Sequence, residues 1–342
     1  MPLHDVGYRN WEGEKTEASN RWWVVAMTGV RLAFRSTWLS RTLLVSWVPA
    51  VFVGVFFFVY EQSLSDPQIR QAMQGIALAA GTTSEFAQAV MTDPASVRHE
   101  AWASLILLFF RYPQAILMLL VVAMVSTRLI SSDFRNKGYL LYFSRPLSVW
   151  GYMLGKAFVI WTFMAIIITM PALLLYCVGL ALSPDWKVIF DTWDLPLRVI
   201  LASATLMVPV SAIALACSAL TSESRYAVFS WFSFWVIGWV SYGVMLIGEN
   251  ARRFQQQGPP PRRQGRGEPG RDGFSEDQLN EILEYSDWEL ISPFHVLGRV
   301  QQYVFGLYPE DKAIWPYFLV LGILTAVCVW FIRRQVLARL RA

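Results

Sequence analysis

Charge, cysteine and histidine are all scarce in this sequence: only 16% of its 342 residues are Asp, Glu, Lys or Arg, and it has three cysteines and three histidines. Each shortage excludes something. Cys177, Cys217 and Cys328 lie inside apolar runs without CxxC spacing, so disulfides and zinc are not expected and all three read as small packing residues. His4, His99 and His295 are scattered, and "HEAWA" at 99–103 has Ala103 where a zinc protease needs its second histidine. No G-x-S-x-G elbow occurs. The stretch "GYMLGK", 151–156, ends like a phosphate-binding loop, but three residues separate its glycines, Ala157 follows the lysine, and an apolar run begins at once. The chain is therefore not expected to be an enzyme, to hold a cofactor or metal, or to bind nucleic acid.

What the sequence does have is long apolar runs. Its hydrophobic share of 55% exceeds the roughly 45–50% usual in soluble domains. Residues 42–60, 157–183, 199–220, 226–248 and 313–332 contain no Asp, Glu, Lys or Arg. At about 1.5 Å per residue, each is long enough to cross a hydrocarbon core of about 30 Å as a helix. A sixth run, roughly 112–130, carries Arg128 near one end, where its side chain can snorkel to the interface. Six spans are expected. The first 40 residues are polar and lack a short apolar core with a small-residue cleavage site, so the first span is expected to be retained.

Lys and Arg near span ends are retained on the cytoplasmic side of a membrane. Arg9, Lys15, Arg21, Arg31, Arg35 and Arg41 precede the first span; Arg135, Lys137, Arg145 and Lys156 lie between the second and third; Arg333, Arg334, Arg339 and Arg341 follow the last. These segments should share one side, which places both termini in the cytoplasm. The connection 249–312 has eight basic residues and falls on the other side, but long loops translocate largely regardless of charge. The division is then 1–41, a cytoplasmic segment; 42–248, spans one to five with a cytoplasmic loop at 131–150; 249–312, an extracytoplasmic loop; and 313–342, span six with a basic tail.

Within 1–41, Met27, Val30, Phe34 and Trp38 recur on one face with Arg31 and Arg35 on its flank, which fits an amphipathic helix in the inner leaflet or a short soluble helix. Residues 252–273 are rich in Pro, Gly, Gln and Arg and are expected to be disordered. Ser275 with Gln278 forms a possible capping box, and Ser292–Pro293 opens a second amphipathic helix, with Val296, Leu297, Val300, Tyr303, Val304 and Leu307 in register and Gly306 near its end. Pro113 is expected to kink or start the second span, leaving Arg111 at its outer end as an interfacial anchor.

Six spans, inside termini, an amphipathic helix ahead of the first span and the loop "SSDFRNKGYLLYFSRPLSVWGYMLGK" (131–156) together resemble the permease subunit of ABC-2 type exporters. Asp133, Gly138, Pro146, Gly155 and Lys156 carry the most specific part. The resemblance implies an all-α integral membrane protein of six transmembrane helices with an N-terminal interfacial helix, in the prokaryotic cytoplasmic (inner) membrane. It also implies a coupling helix in the first cytoplasmic loop that docks on a separate ATPase subunit. Carried over, this segment is Ser132 to Phe143: Phe134, Tyr139, Leu140 and Phe143 as anchors, Asp133, Arg135 and Lys137 setting the register by charge, and Gly138 among them. The competing reading is a positive-inside loop whose charges only set topology. No Walker A or B element is present, so ATP and Mg²⁺ would belong to the ATPase partner, and two permease subunits, identical or related, would form the pathway within membrane lipid. The expected cargo is lipid-like, amphipathic or peptide-like, because the uncharged spans offer nothing to neutralise an ionic one. Outer loops of about 50 and 60 residues leave its identity and the direction of transport open. A rival reading has the same ATPase act through 249–312 on an extracytoplasmic partner, without transport.

Overall fold

In lipid a backbone N–H or C=O has no water to bond, so an apolar run of this length is stable only as a helix. The computed structural model describes residues 20–71, 84–144, 147–183, 186–257, 287–310 and 312–341. The described residues are 84% helical, with no strand among them. Among the described residues six helices are long and apolar enough to cross a membrane: span 1 (Thr37–Ser63), span 2 (Arg98–Arg135), span 3 (Val149–Leu182), span 4 (Val188–Ala219), span 5 (Ser224–Glu249) and span 6 (Trp315–Arg341). Span 4 is the axis of the bundle, 61% buried along its apolar window, against 50% for spans 2 and 3 and 17% for spans 5 and 6.

The second span corrects the sequence reading. Its helix begins at Arg98, so Arg111 lies well inside it rather than at its outer end. Charge hid this start from a hydropathy count. Arg98 is neutralised by Glu61 of span 1 at 3.6 Å, and the Trp102 indole donates to the same carboxylate at 3.1 Å. Pro113 neither starts nor ends the helix: a π-helical turn over Gln114–Met118 follows it and absorbs the missing backbone donor. Span 3 also carries a π turn near a proline, at Ala165–Thr169, ending two residues before Pro171.

A helix over Arg21–Phe34 precedes span 1, and Ser36 then caps the next helix by accepting from the Leu39 N–H at 3.4 Å. The residues it packs on the bundle overlap the expected apolar face at Val30. Val25, Ala26 and Val30 are buried against span 3, whereas Leu32 and Phe34 are exposed, and Trp38 belongs to span 1. Two glycines permit this contact. A Cβ at Gly155 would stand 2.8 Å from the Trp22 carbonyl oxygen and 3.0 Å from Val25 Cβ, and one at Gly29 would stand 2.6 Å from Val159 Cγ2. At the far end, the helix expected after Ser292 forms over Pro293–Phe305 and stops at Gly306, whose φ of 75° suits a left-handed C-cap. It buries Val296, Leu297, Val300 and Phe305 against the ends of spans 2 and 4 to 6. Residues 252–257 continue the helix of span 5 rather than being disordered, while the rest of 252–273 and the Ser275–Gln278 box lie outside the described residues.

Two predictions follow from this packing. Gly155→Val should displace the N-terminal helix, at a cost of about 1–3 kcal/mol, seen as faster tryptic cleavage at Arg31 and Arg35. Gly54→Ala, whose new methyl would meet only Leu175 at 3.7 Å, should not. Burial pushes the His295 imidazole down to about 4, and its ring stacks on Tyr242 at 3.9 Å. The unfolded chain therefore binds the proton more readily than the folded one. The stability from neutral His295 is complete above about pH 6.5 and is lost as pH falls toward 4. His295→Phe should flatten the pH dependence of thermal unfolding across that window, and an unchanged slope would contradict the assignment.

Candidate functional site

The loop joining spans 2 and 3 lies at the end of the bundle that carries the N-terminal helix. It comprises two single-turn helices, Ser131–Arg135, which closes the range of span 2, and Tyr139–Phe143. The first closes in a Schellman arrangement: the Gly138 N–H reaches back to the Asp133 carbonyl at 2.9 Å, and Lys137 takes the left-handed position with φ of 53°. Lysine there is unusual, because a Cβ disfavours that region.

The centre of the site is a buried ion pair. Lys156, in the second turn of span 3, places Nζ 2.7 Å from Asp133 Oδ2, with side chains only 7% and 13% exposed. Tyr152, one helical turn earlier, donates its hydroxyl to the same oxygen at 2.7 Å. The ammonium also lies 5.3 Å from the Tyr142 ring centroid and 5.4 Å from that of Tyr152. Burial, with the Asp133 carboxylate nearby, pushes the Tyr142 phenol above its ordinary range, so that ring stays neutral beside the pair. Each charge compensates the desolvation of the other, and the tyrosines complete the shell.

The candidate residues separate into two groups. Asp133 faces inward, as does Phe134, which packs edge-on to Tyr139 at 6.1 Å beneath the Arg339 guanidinium of span 6. Gly138, Tyr139 and Phe143 are half-buried, and Phe143 lies 5.7 Å from the Tyr152 ring. Arg135, Lys137 and Leu140 are exposed, and Asn136 and Leu141 share that surface, Leu141 at 76%. Arg145 and Pro146 lie outside the described residues. Arg135 reaches Glu223 of the connection between spans 4 and 5 at 3.7 Å, an exposed pair of little energetic weight.

Sequence reasoning missed three members of the site. Tyr152 carried a signal, since its spacing of four from Lys156 puts both on one helix face. Tyr142 and Ser218 carried none. The Ser218 hydroxyl accepts from the Ile130 and Ser131 N–H groups at 3.1 Å each and donates to the Thr127 carbonyl at 3.2 Å, tying span 4 to the start of the loop. Other buried charges, Glu61 with Arg98 and Glu289 with Arg299, lie at the opposite end and are likewise paired. Among the described residues no three His, Cys, Asp or Glu side chains converge as a metal site.

Removing one member of a buried pair leaves the other uncompensated, so Lys156→Met should destabilise the protein by about 3–5 kcal/mol. Adding Asp133→Leu should recover most of that loss, measured as the unfolding midpoint in detergent. A single variant no less stable than the double would show that the pair contributes nothing.

Comparison with curated proteins finds no match. The family described as ABC-2 family transporter protein matches residues 27–332, from inside the N-terminal helix to the end of the apolar part of span 6. The match takes in the loop, its ion pair and all six apolar helices, and on it the chain belongs to the ABC-2 family of transporter proteins, as a multi-pass membrane protein.

Proposed function

We propose that this chain is the permease subunit of an ATP-driven exporter whose nucleotide is hydrolysed, with Mg²⁺, in a separate ATPase subunit. A second permease subunit, identical or related, completes the pathway. The membrane is a prokaryotic inner membrane with both termini in the cytoplasm, a reading supported by the basic residues at the end carrying the loop. The observation that carries the proposal is the Asp133–Lys156 pair, which joins an otherwise exposed loop to the first turns of a spanning helix. The surface of Arg135, Asn136, Lys137, Leu140 and Leu141 receives the ATPase. Asp133, a positioning residue turned away from that surface, passes displacement to span 3. Gly155 passes it on to the N-terminal helix.

The far end favours one further reading. Arg198 of span 4 donates to the Val304 carbonyl at 3.3 Å, and Tyr317 of span 6 donates to Glu289 at 3.2 Å, so movement of either span is transmitted to the outer loop. An ATPase-driven membrane component acting on an extracytoplasmic partner would use those bonds.

Contact and transmission can be separated in the reconstituted complex. Leu141→Asp should reduce co-purification of the ATPase subunit by about an order of magnitude, as expected when an apolar anchor is lost from an interface. The Lys156→Met/Asp133→Leu double variant should keep co-purification and lose cargo-stimulated ATP hydrolysis. If both variants bind and couple like the parent, the loop is not the coupling surface.

A further inference from the structure

Span 6 does not end where its apolar run ends. The helix continues from Arg333 to Arg341, and its outward stripe forms a groove of about 300 Å³ lined by Trp330, Arg333, Arg334, Leu337, Ala338 and Arg341. Ala338 is the floor, because its methyl leaves room between longer neighbours. Three guanidinium groups line the groove and no acidic residue does. Arg333, Arg334 and Arg341 are exposed and form no ion pair among the described residues. Trp330, whose ring lies under Arg334 at 5.5 Å, closes the end toward the apolar run.

The depth of the groove identifies its occupant. Ala338 stands six residues beyond Ile332, the last residue of the uncharged run, or about 9 Å along the helix. The polar headgroup layer is about 5–8 Å deep on each side of the hydrocarbon core. On the same count Arg333 and Arg334 stand about 1.5 and 3 Å beyond Ile332, inside that layer and next to Trp330, a depth at which aromatic and basic residues anchor to lipid, and Arg341 lines the groove with them from about 13.5 Å along the helix. We infer that this groove binds the headgroup phosphate of an anionic phospholipid. The site is not isolated from the rest of the protein: Arg333, which lines the groove, lies over Trp150 at 5.7 Å, in the first turn of span 3. The inference rests on the chain spanning a membrane, not on its coupling to an ATPase.

The full-length protein is purified from nanodiscs of phosphatidylcholine mixed with phosphatidylglycerol, and the lipid retained after detergent washing is quantified. The parent should be enriched in phosphatidylglycerol. Arg334→Gln/Arg341→Gln should lower that enrichment by roughly fivefold per arginine, and Ala338→Leu, which keeps every charge and fills the floor, should lower it too. All three positions are exposed, so folding is not at stake. Equal retention by parent and variants overturns the site. So does displacement of the retained lipid by inorganic phosphate at low concentration, which would mark a site for the free anion. Unchanged retention together with lost ATPase co-purification would assign the groove to a protein contact and overturn the lipid assignment as well.

Discussion

An ammonium and a carboxylate 2.7 Å apart hold the first turns of span 3 to a loop built of two single-turn helices. Neither group could be withdrawn from water alone, and each is withdrawn because the other, a tyrosine hydroxyl and two aromatic faces are already in place. The remainder of this end is arranged around that constraint. Gly155, next to Lys156, brings the N-terminal helix against the same turn, and Ser218 brings span 4 against the start of the loop. Loop, N-terminal helix and two spans thus meet within a few residues of one ion pair.

The middle of the bundle is held differently. Helices in lipid gain little from burying apolar surface against one another, so close packing and a few hydrogen bonds carry the association. Thr169 donates to Ser203 at 2.9 Å, the Trp161 indole to Ser211 at 2.9 Å, and the Trp231 indole to the Leu119 carbonyl at 3.0 Å. Charged clusters close the two ends; between them two of these contacts join span 3 to span 4, and the third joins span 5 to span 2.

Much of this was legible in the residues, and the exceptions share a cause. Uncharged runs announced five spans, and the helix at 293–305 showed its start and stop through Pro293 and Gly306. Span 2 was misread because hydropathy counts a charge as polar whether or not a partner neutralises it, and Glu61, the partner of Arg98, belongs to another span. The connection between spans 2 and 3 was visible as a polar stretch, but its residues could not be divided into inward and outward sets. Single-turn helices have too few residues for a periodicity, and what turns Asp133 inward is a lysine 23 positions later. In "NKG" the left-handed residue is Lys137 and not the glycine, because the register of the Schellman turn is set by helix length rather than by composition.

The unequal burial of the spans also bears on how such a sequence can diverge. Within one chain, a residue on span 4 meets protein on most sides, and a change of one methylene there must be absorbed by several neighbours. Spans 5 and 6 are 17% buried along their apolar windows, and most of their side chains need only be apolar and of any shape. Substitutions in this lineage should accumulate on those two helices, while span 4 keeps its identity residue by residue.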